Sequence, residues 1–189
     1  MNFAAIKYCD IANGVGVRTT LFVSGCRRGC PYCFNEEAWS FSAGEAFTGE
    51  VEKRILESLK PGYVTGLSVL GGEPMEPENQ AGLAPFLERV KAAYPEKDIW
   101  MYSGFTWEEL TGASEPHPPY RELPVTEDTE RVLACLDVLV DGPFVQDLKD
   151  ISLRFRGSSN QRLIDVPATR AAGEVVPWED EPLFASHEM

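Results

Sequence analysis

Residues 17–33 read VRTTLFVSGCRRGCPYC, and this stretch decides the fold. Its first part is mostly β-branched or apolar and runs into a Gly-Cys pair, a pattern that predicts a buried strand ending in a loop. The loop carries Cys26, Cys30 and Cys33, three thiols within eight residues. Because three thiolates on one short loop can face a common centre, the sequence predicts a metal centre directly after a strand.

Three further apolar stretches downstream also end in a turn. These turns are Gly71-Gly72, Ser103-Gly104 and Asp141-Gly142. Helical patterns separate the units, at 50–60, 78–94, 106–110 and 130–136. Repeated strand, turn and helix units predict an α/β fold with parallel strands, whose loops gather at the carboxyl edge of the sheet. A complete eight-unit barrel takes about 250 residues, so we expect an open, partial (βα) barrel.

Length and composition favour one domain that acts in a reducing compartment. The chain has 189 residues, 43% of them hydrophobic and 25% charged, with a net charge of −13. That charge disfavours binding to nucleic acid. No apolar run reaches the ~18 residues of a membrane span, and the first residues lack a signal-peptide pattern. Five cysteines without an export signal predict reduced thiols and a cytoplasmic protein without a membrane partner.

The pattern divides the chain into a main domain, an insertion and a tail. We expect residues 1–167 to form the partial-barrel domain. Residues 112–129 contain four prolines and many polar groups, which predicts a surface insertion. Residues 168–189 are acidic and interrupted by prolines, which predicts a partly disordered tail.

Two kinds of metal centre are compatible with the cysteine loop. A structural zinc site needs four ligands, commonly in two separated pairs, and here Cys9, Cys135 or a histidine would have to complete it. A four-iron cluster can instead be held by three cysteines if a ligand from outside the protein takes the fourth iron. We expect Cys9 and Cys135 to pack as small hydrophobic side chains, because buried free cysteine behaves in that way.

The motif resembles that of the radical S-adenosylmethionine (radical SAM) enzymes. These enzymes share CxxxCxxC with an aromatic residue before the last cysteine, here Tyr32. Further stretches resemble the activating proteins of anaerobic ribonucleoside-triphosphate reductase, a family of glycyl-radical-enzyme activases. These stretches are DIANGVGVRTTLFVSGC at 10–26, GGEP at 71–74, DIWMYSGFTWEEL at 98–110 and DVLVDGPFVQDLKDISLRFRGSSNQRLID at 137–165.

The resemblance implies two cofactors and their contacts. Cys26, Cys30 and Cys33 would ligate a [4Fe-4S] cluster, and S-adenosylmethionine would bind the open iron. The residues that would contact S-adenosylmethionine are Tyr32, Cys33, Phe34, Gly71, Gly72, Glu73 and Ser103. Among them, residues 32–34 would contact the adenosyl group, residues 71–73 the methionine amino group, and Ser103 the ribose or the carboxylate. Asp141 is a weaker candidate, and no catalytic residue is implied beyond these ligands.

The resemblance also implies a reaction and a partner. An electron from a flavodoxin- or ferredoxin-like reductant would cleave S-adenosylmethionine, and the 5′-deoxyadenosyl radical would take a hydrogen atom from a glycine of the anaerobic reductase. The alternatives are a radical SAM enzyme acting on another glycyl-radical protein or a small molecule, and a zinc-stapled interaction module. Arg154, Arg156 and Arg162 are candidates to dock a partner or the cofactor carboxylate, although exposed charges commonly form only a solvated face.

Overall fold

The computed structural model describes residues 1–180 and contains a seven-stranded mixed sheet flanked by helices. The strands are β1 Asn2–Asp10, β2 Val17–Val23, β3 Glu45–Ala46, β4 Val64–Gly71, β5 Asp98–Tyr102, β6 Val138–Asp141 and β7 Arg162–Asp165. The α-helices are α1 Gly49–Leu59, α2 Pro77–Ala93, α3 Trp107–Leu110, α4 Thr129–Cys135 and α5 Val166–Ala172. Short 3-10 turns lie at Glu36–Ala38 and Gln146–Leu148.

The centre of the sheet is parallel and its two sides are antiparallel. The strand order is β3-β1-β2-β4-β5-β6-β7. Strands β2, β4, β5 and β6 pair in parallel, and these are the four strands that the sequence predicts. Strands β1, β3 and β7 pair in antiparallel fashion. The expected sheet of parallel strands is therefore corrected at both sides, because neither residues 11–16 between β1 and β2 nor residues 142–161 between β6 and β7 contain a crossover α-helix.

The sheet separates a large apolar core from a small one. In β5, Ile99 and Met101 point into the main core with the helices, while Trp100 points to the opposite face. This alternation follows from the two-residue period of a strand. On the opposite face Trp100 packs edge-on against Phe155 and Trp178, with ring centroids 5.2 and 5.0 Å apart. Both faces of the central strands are thus covered.

The chain after β7 packs onto the sheet as far as it is described. The expected boundary at Ala168 falls inside α5, which Asp165 caps by accepting a hydrogen bond from the Ala168 N–H at 2.8 Å. Gly173 ends this helix in the left-handed conformation that favours glycine. The Trp178 N–H then donates to the Leu163 carbonyl at 2.9 Å. The remainder of the predicted tail, 181–189, lies outside the described residues.

The proline-rich insertion is irregular but reaches the interior. Residues 112–128 contain no helix or strand, and α4 begins at Thr129. The Tyr120 ring packs on Phe105 with centroids 4.4 Å apart. The Pro124 carbonyl accepts a hydrogen bond from the buried Gln80 side chain at 2.7 Å. The insertion is therefore anchored to the main domain beside the carboxyl edge of the sheet.

The two isolated cysteines differ from each other. Cys135 is buried in α4, as the sequence predicts. The expectation that Cys9 packs in the interior is wrong, because its side chain is exposed. A register shift between Lys7 and Asp10 interrupts the pairing of β1, and Cys9 adopts a φ of 54° there. Within residues 1–180 no helix is both long and apolar enough to cross a membrane.

Candidate functional site

The cysteine loop and the Gly-Gly turn lie side by side at the carboxyl edge of the sheet. Strands β2 and β4 are neighbours, with Val23 opposite Gly71 at their ends. The loop that follows β2 carries the three cysteines, and the turn that follows β4 carries Gly71 and Gly72. Parallel pairing therefore brings the two motifs together, as the sequence predicts.

Glycine is required at both positions of this turn. Gly71 has a φ of 120°, and a side-chain carbon there would lie 2.5 Å from the Val23 carbonyl oxygen. A side-chain carbon on Gly72 would lie 2.5 Å from the carbonyl oxygen of Gly25. Without side chains, the Gly72 N–H donates to Val23 and the Glu73 N–H donates to Gly25, each at 2.8 Å. The two loops are thereby fixed to each other through their backbones.

The cysteine loop is hydrogen-bonded to the segment that follows it in the chain. The Cys26 N–H donates to the Trp39 carbonyl at 3.0 Å, so the 3-10 turn at Glu36–Ala38 closes the loop. Tyr32 adopts a positive φ of 61° and is 76% exposed, and Phe34 is 83% exposed. The loop therefore presents two unshielded aromatic rings on either side of Cys33.

The three thiols are free and partly buried, and backbone N–H groups face each of them. Burial raises the pKa of the Cys26 thiol to about 12, assisted by the negative charge of Glu73, while the N–H groups of Arg28 and Gly29 oppose that rise. Burial also raises the pKa of Cys30. At Cys33 the sulfur accepts a hydrogen bond from the Asn35 N–H at 3.4 Å.

This donor set fits an iron–sulfur cluster. Three thiols on one loop supply soft ligands, and N–H groups directed at sulfur stabilise thiolates bound to such clusters. Within residues 1–180 no group of three or more His, Cys, Asp or Glu side chains converges on a single metal ion. A cubane places each cysteine on a different iron, so its ligands stand farther apart than those of one tetrahedral ion.

Glu73 and Ser103 meet in a buried hydrogen-bonded link between the turns after β4 and β5. One Glu73 carboxylate oxygen accepts from the Ser103 hydroxyl at 2.8 Å and from the Met75 N–H at 2.9 Å. The other accepts from the Gly104 N–H at 2.7 Å. Burial raises the pKa of Glu73 despite these donors. Both predicted contact residues are thus directed at protein groups, and they connect adjacent strand ends.

Two buried residues at this edge carry no motif that sequence reasoning could have used. The Asn79 amide donates to the Ser24 carbonyl at 3.0 Å and to the Glu73 carbonyl at 2.9 Å, so it joins the two loops a second time. Glu76 accepts from the Arg27 N–H at 2.7 Å and from the Tyr120 hydroxyl at 2.6 Å. Glu76 therefore ties the insertion to the cysteine loop.

Asp141 has a structural role at the end of β6. It is buried and accepts a hydrogen bond from the Trp107 N–H at 2.8 Å at the start of α3. It also forms an ion pair with Arg162, which in turn pairs with Glu108 at 2.7 Å. The other two predicted docking arginines lie apart from the cysteine loop. Arg154 pairs with Asp180, and Arg156 donates to the Gln161 carbonyl at 2.6 Å.

Comparison with known proteins identifies the class of this site. Residues 12–164 match the family described as a 4Fe-4S single cluster domain, and this range contains all three cysteines of the loop. The fold and the site therefore define an iron–sulfur cluster protein.

Relatives then identify the particular family. Anaerobic ribonucleoside-triphosphate reductase-activating proteins are 42% identical in Pasteurella multocida, over 85% of this chain and 95% of theirs, and 40% identical in Haemophilus influenzae, over 85% and 96%. The protein of that name from Enterobacteria phage T4 is 35% identical over 86% of this chain and 93% of its own. The chain belongs to the family of anaerobic ribonucleoside-triphosphate reductase-activating proteins, which confirms the resemblance drawn from the motifs.

Proposed function

We propose that the chain is a radical SAM activase that generates a glycyl radical on anaerobic ribonucleoside-triphosphate reductase. The observation that carries the proposal is the cysteine loop locked against the Gly71-Gly72 turn, in a chain that belongs to this family. Cys26, Cys30 and Cys33 would hold a [4Fe-4S] cluster through three of its irons. When bound, the cluster supplies the electron that cleaves S-adenosylmethionine to methionine and a 5′-deoxyadenosyl radical.

The residues around the loop support a site for S-adenosylmethionine. Tyr32 and Phe34 expose their rings next to Cys33, where they would pack against the adenosyl group. Gly71 and Gly72 let this turn approach the backbone of the cysteine loop closely, which would place residues 71–73 beside the methionine amino group of bound S-adenosylmethionine. Glu73 and Ser103 would contribute by holding this turn in place, because the Glu73 carboxylate is bonded to Ser103 and to two backbone N–H groups.

The proposed function also implies a protein partner, a reductant and a reducing cellular compartment. A protein substrate needs an accessible edge, and an open, partial barrel would leave the carboxyl ends of the strands accessible to the glycine-bearing segment of the reductase. A flavodoxin- or ferredoxin-like protein would supply the electron. Five cysteines, all of them free, suit a reducing compartment such as the cytoplasm.

The test is anaerobic reconstitution followed by reaction with the reductase. We expect the wild-type protein to take up iron and sulfide, to form 5′-deoxyadenosine with a chemical reductant, and to produce a glycyl doublet in the electron paramagnetic resonance spectrum of the reductase. Cys30→Ala should lose the cluster and the doublet. Cys135→Ala is the matched control, because it removes a cysteine buried in α4, and it should retain both.

Two outcomes would redirect the proposal. If 5′-deoxyadenosine forms and no glycyl doublet appears on the reductase, the chain acts on another glycyl-radical protein or on a small molecule. If the purified protein contains zinc and no sulfide, the cysteine loop is a structural staple and the activase proposal is wrong.

A further inference from the structure

Arg28 is a buried cation inside the cysteine loop. It lies between Cys26 and Cys30 and is only 8% exposed. Its guanidinium packs against the side of two adjacent rings, with the central carbon 4.7 Å from the Phe105 ring centre and 4.9 Å from that of Tyr120. A side-chain carbon on Gly104 would lie 2.5 Å from the Arg28 Nε, so this glycine makes room for the arginine. The fold thus builds a dedicated place for the charge.

Two nitrogens of this guanidinium find no hydrogen-bond partner in residues 1–180. Its Nε and one terminal nitrogen are buried and have no hydrogen-bond partner within the described chain. The charged and titratable groups whose electrostatics Arg28 affects are Glu73, Glu109 and Cys30. Glu73 already accepts three hydrogen bonds, and Glu109 also accepts three, from the Thr106 N–H and hydroxyl and from the His117 N–H. Burying a charge without a direct partner is unfavourable, so the site calls for additional negative charge nearby.

We propose that Arg28 is a positioning residue that compensates the negative charge of the loaded cysteine loop and so raises the reduction potential of the cluster held there. This inference rests on the proposed function only in requiring a cluster on the three cysteines. A guanidinium group provides a permanent positive charge in proteins, unlike the ammonium group of a buried lysine.

The effect on potential follows from the charge balance of reduction. One electron, supplied by a low-potential reductant such as dithionite, enters the cluster and adds one negative charge to the site. A buried cation stabilises the more negative state further, because screening is weak in the interior. Removing that cation while keeping a polar side chain should therefore make reduction more difficult.

Arg27 provides a matched control in the same loop. It carries the same charge but is half-exposed, and its guanidinium is paired with Glu76 and Glu78. Its charge is therefore already balanced and screened by water. Arg27→Gln changes the net charge of the protein by the same amount as Arg28→Gln, one residue away.

The experiment measures the midpoint potential of the reconstituted cluster without S-adenosylmethionine, by a redox titration followed by electron paramagnetic resonance. We expect Arg28→Gln to lower the ratio of reduced to oxidised cluster about tenfold at a fixed potential, a shift of about 59 mV for one electron. Arg28→Lys keeps the charge and should stay close to the wild type. Arg27→Gln should also stay close to it.

Each result decides the matter. A potential in Arg28→Gln equal to that of the wild type, with full iron content, would overturn the proposal, as would an equal shift in Arg27→Gln. If Arg28→Gln fails to retain the cluster, full loading of Arg28→Lys supports charge compensation, and loss in both variants shows that only the shape of the arginine matters. If the potential shifts in Arg28→Gln but the wild-type protein makes no glycyl radical, the role proposed for Arg28 is supported and the proposed activase function is contradicted.

Discussion

The two edges of the parallel sheet each bury an arginine, and the two arginines are treated differently. At the amino edge Arg18 is fully buried and donates to the Ser68 hydroxyl at 2.7 Å and the Leu67 carbonyl at 2.9 Å. It also forms an ion pair with Asp98 at 2.7 Å. At the carboxyl edge Arg28 has aromatic neighbours but two unpaired nitrogens. The arginine at the amino edge is paired within the protein, whereas the arginine at the carboxyl edge keeps two buried nitrogens without a hydrogen-bond partner in residues 1–180.

We interpret this difference as a division of roles between the two ends of the same strands, with stability at the amino edge and function at the carboxyl edge. Satisfied buried charges hold a fold together, and removing one partner leaves the others unpaired. A buried charge without hydrogen-bond partners contributes less to the stability of the protein alone, because removing Arg28 breaks no side-chain hydrogen bond among residues 1–180 and takes only a nearby positive charge from Glu73 and Glu109. We therefore expect substitutions of Arg18 to affect the stability of the fold, and substitutions of Arg28 to affect the chemistry of the cluster.

The largest expected effect tests this comparison directly. Arg18→Met should lower the free energy of unfolding of the cluster-free protein by about 3 kcal/mol or more, because Asp98 and the Leu67 carbonyl lose their partner. Arg28→Met in the same cluster-free state should lower it by only about 1 kcal/mol, because the variant loses the ring contacts and a positive charge near Glu73, while two buried nitrogens without hydrogen-bond partners are removed. Urea unfolding measures both. Equal losses in the two variants would remove the distinction between the edges.

An intermediate effect is expected at Arg162, which lies at the carboxyl edge but has its charge paired with Asp141 and Glu108. Arg162→Gln should destabilise the protein by about 2 kcal/mol, because the buried Asp141 loses its charged partner. A loss below about 0.5 kcal/mol, the level of ordinary surface substitutions, would show that the ion pair is only a surface contact.

The same ion pairs give this variant a pH dependence. Hydrogen bonding to Arg162 lowers the pKa of Glu108 below its ordinary value of 4.5. A carboxyl group with a lowered folded-state pKa stabilises the protein above its unfolded-state pKa, and this contribution is lost as the pH falls through the folded-state value. The difference in melting temperature between the wild type and Arg162→Gln should therefore narrow in acid. A difference that widens below pH 4.5 would contradict this linkage.

The smallest effect sharpens the comparison at the insertion. Tyr120→Phe keeps the ring beside Arg28 but removes the hydroxyl that donates to Glu76. We expect a loss of about 1 kcal/mol in the free energy of unfolding and an unchanged cluster potential. Tyr120→Ala also removes the ring, and should destabilise more and disturb the cluster spectrum. Identical spectra in both variants would show that the ring does not support the loop.

Much of the architecture is readable from the sequence because the chemistry is local. The run VRTTLFVS predicts β2, and the pairing of β2 with β4 brings the cysteine loop to the Gly-Gly turn. Strand β1 is not recognised, because its NFAAIKYCD alternates weakly and only one of its residues, Phe3, is buried. The short β7 and α5 follow Arg162 in a segment whose pattern is too brief to show a period.

The details of the site are less readable, because they depend on contacts between distant segments. The sequence marks Glu73 and Ser103 as separate candidates, but only the fold shows that they bond to each other. Asn79 and Glu76 lie on no recognisable motif. The sequence does not distinguish the two adjacent arginines of the cysteine loop. The structure shows that Arg27 forms an ion pair at the surface and that Arg28 is buried.

The anchoring of Tyr120 has a consequence for the order in which the protein matures. On the ribosome the cysteines emerge well before Tyr120, because chains are made from the amino end. Until the insertion is synthesised, neither the ring over Arg28 nor the bond to Glu76 exists. The nascent cysteine loop therefore lacks these two contacts until the downstream half of the chain has been made.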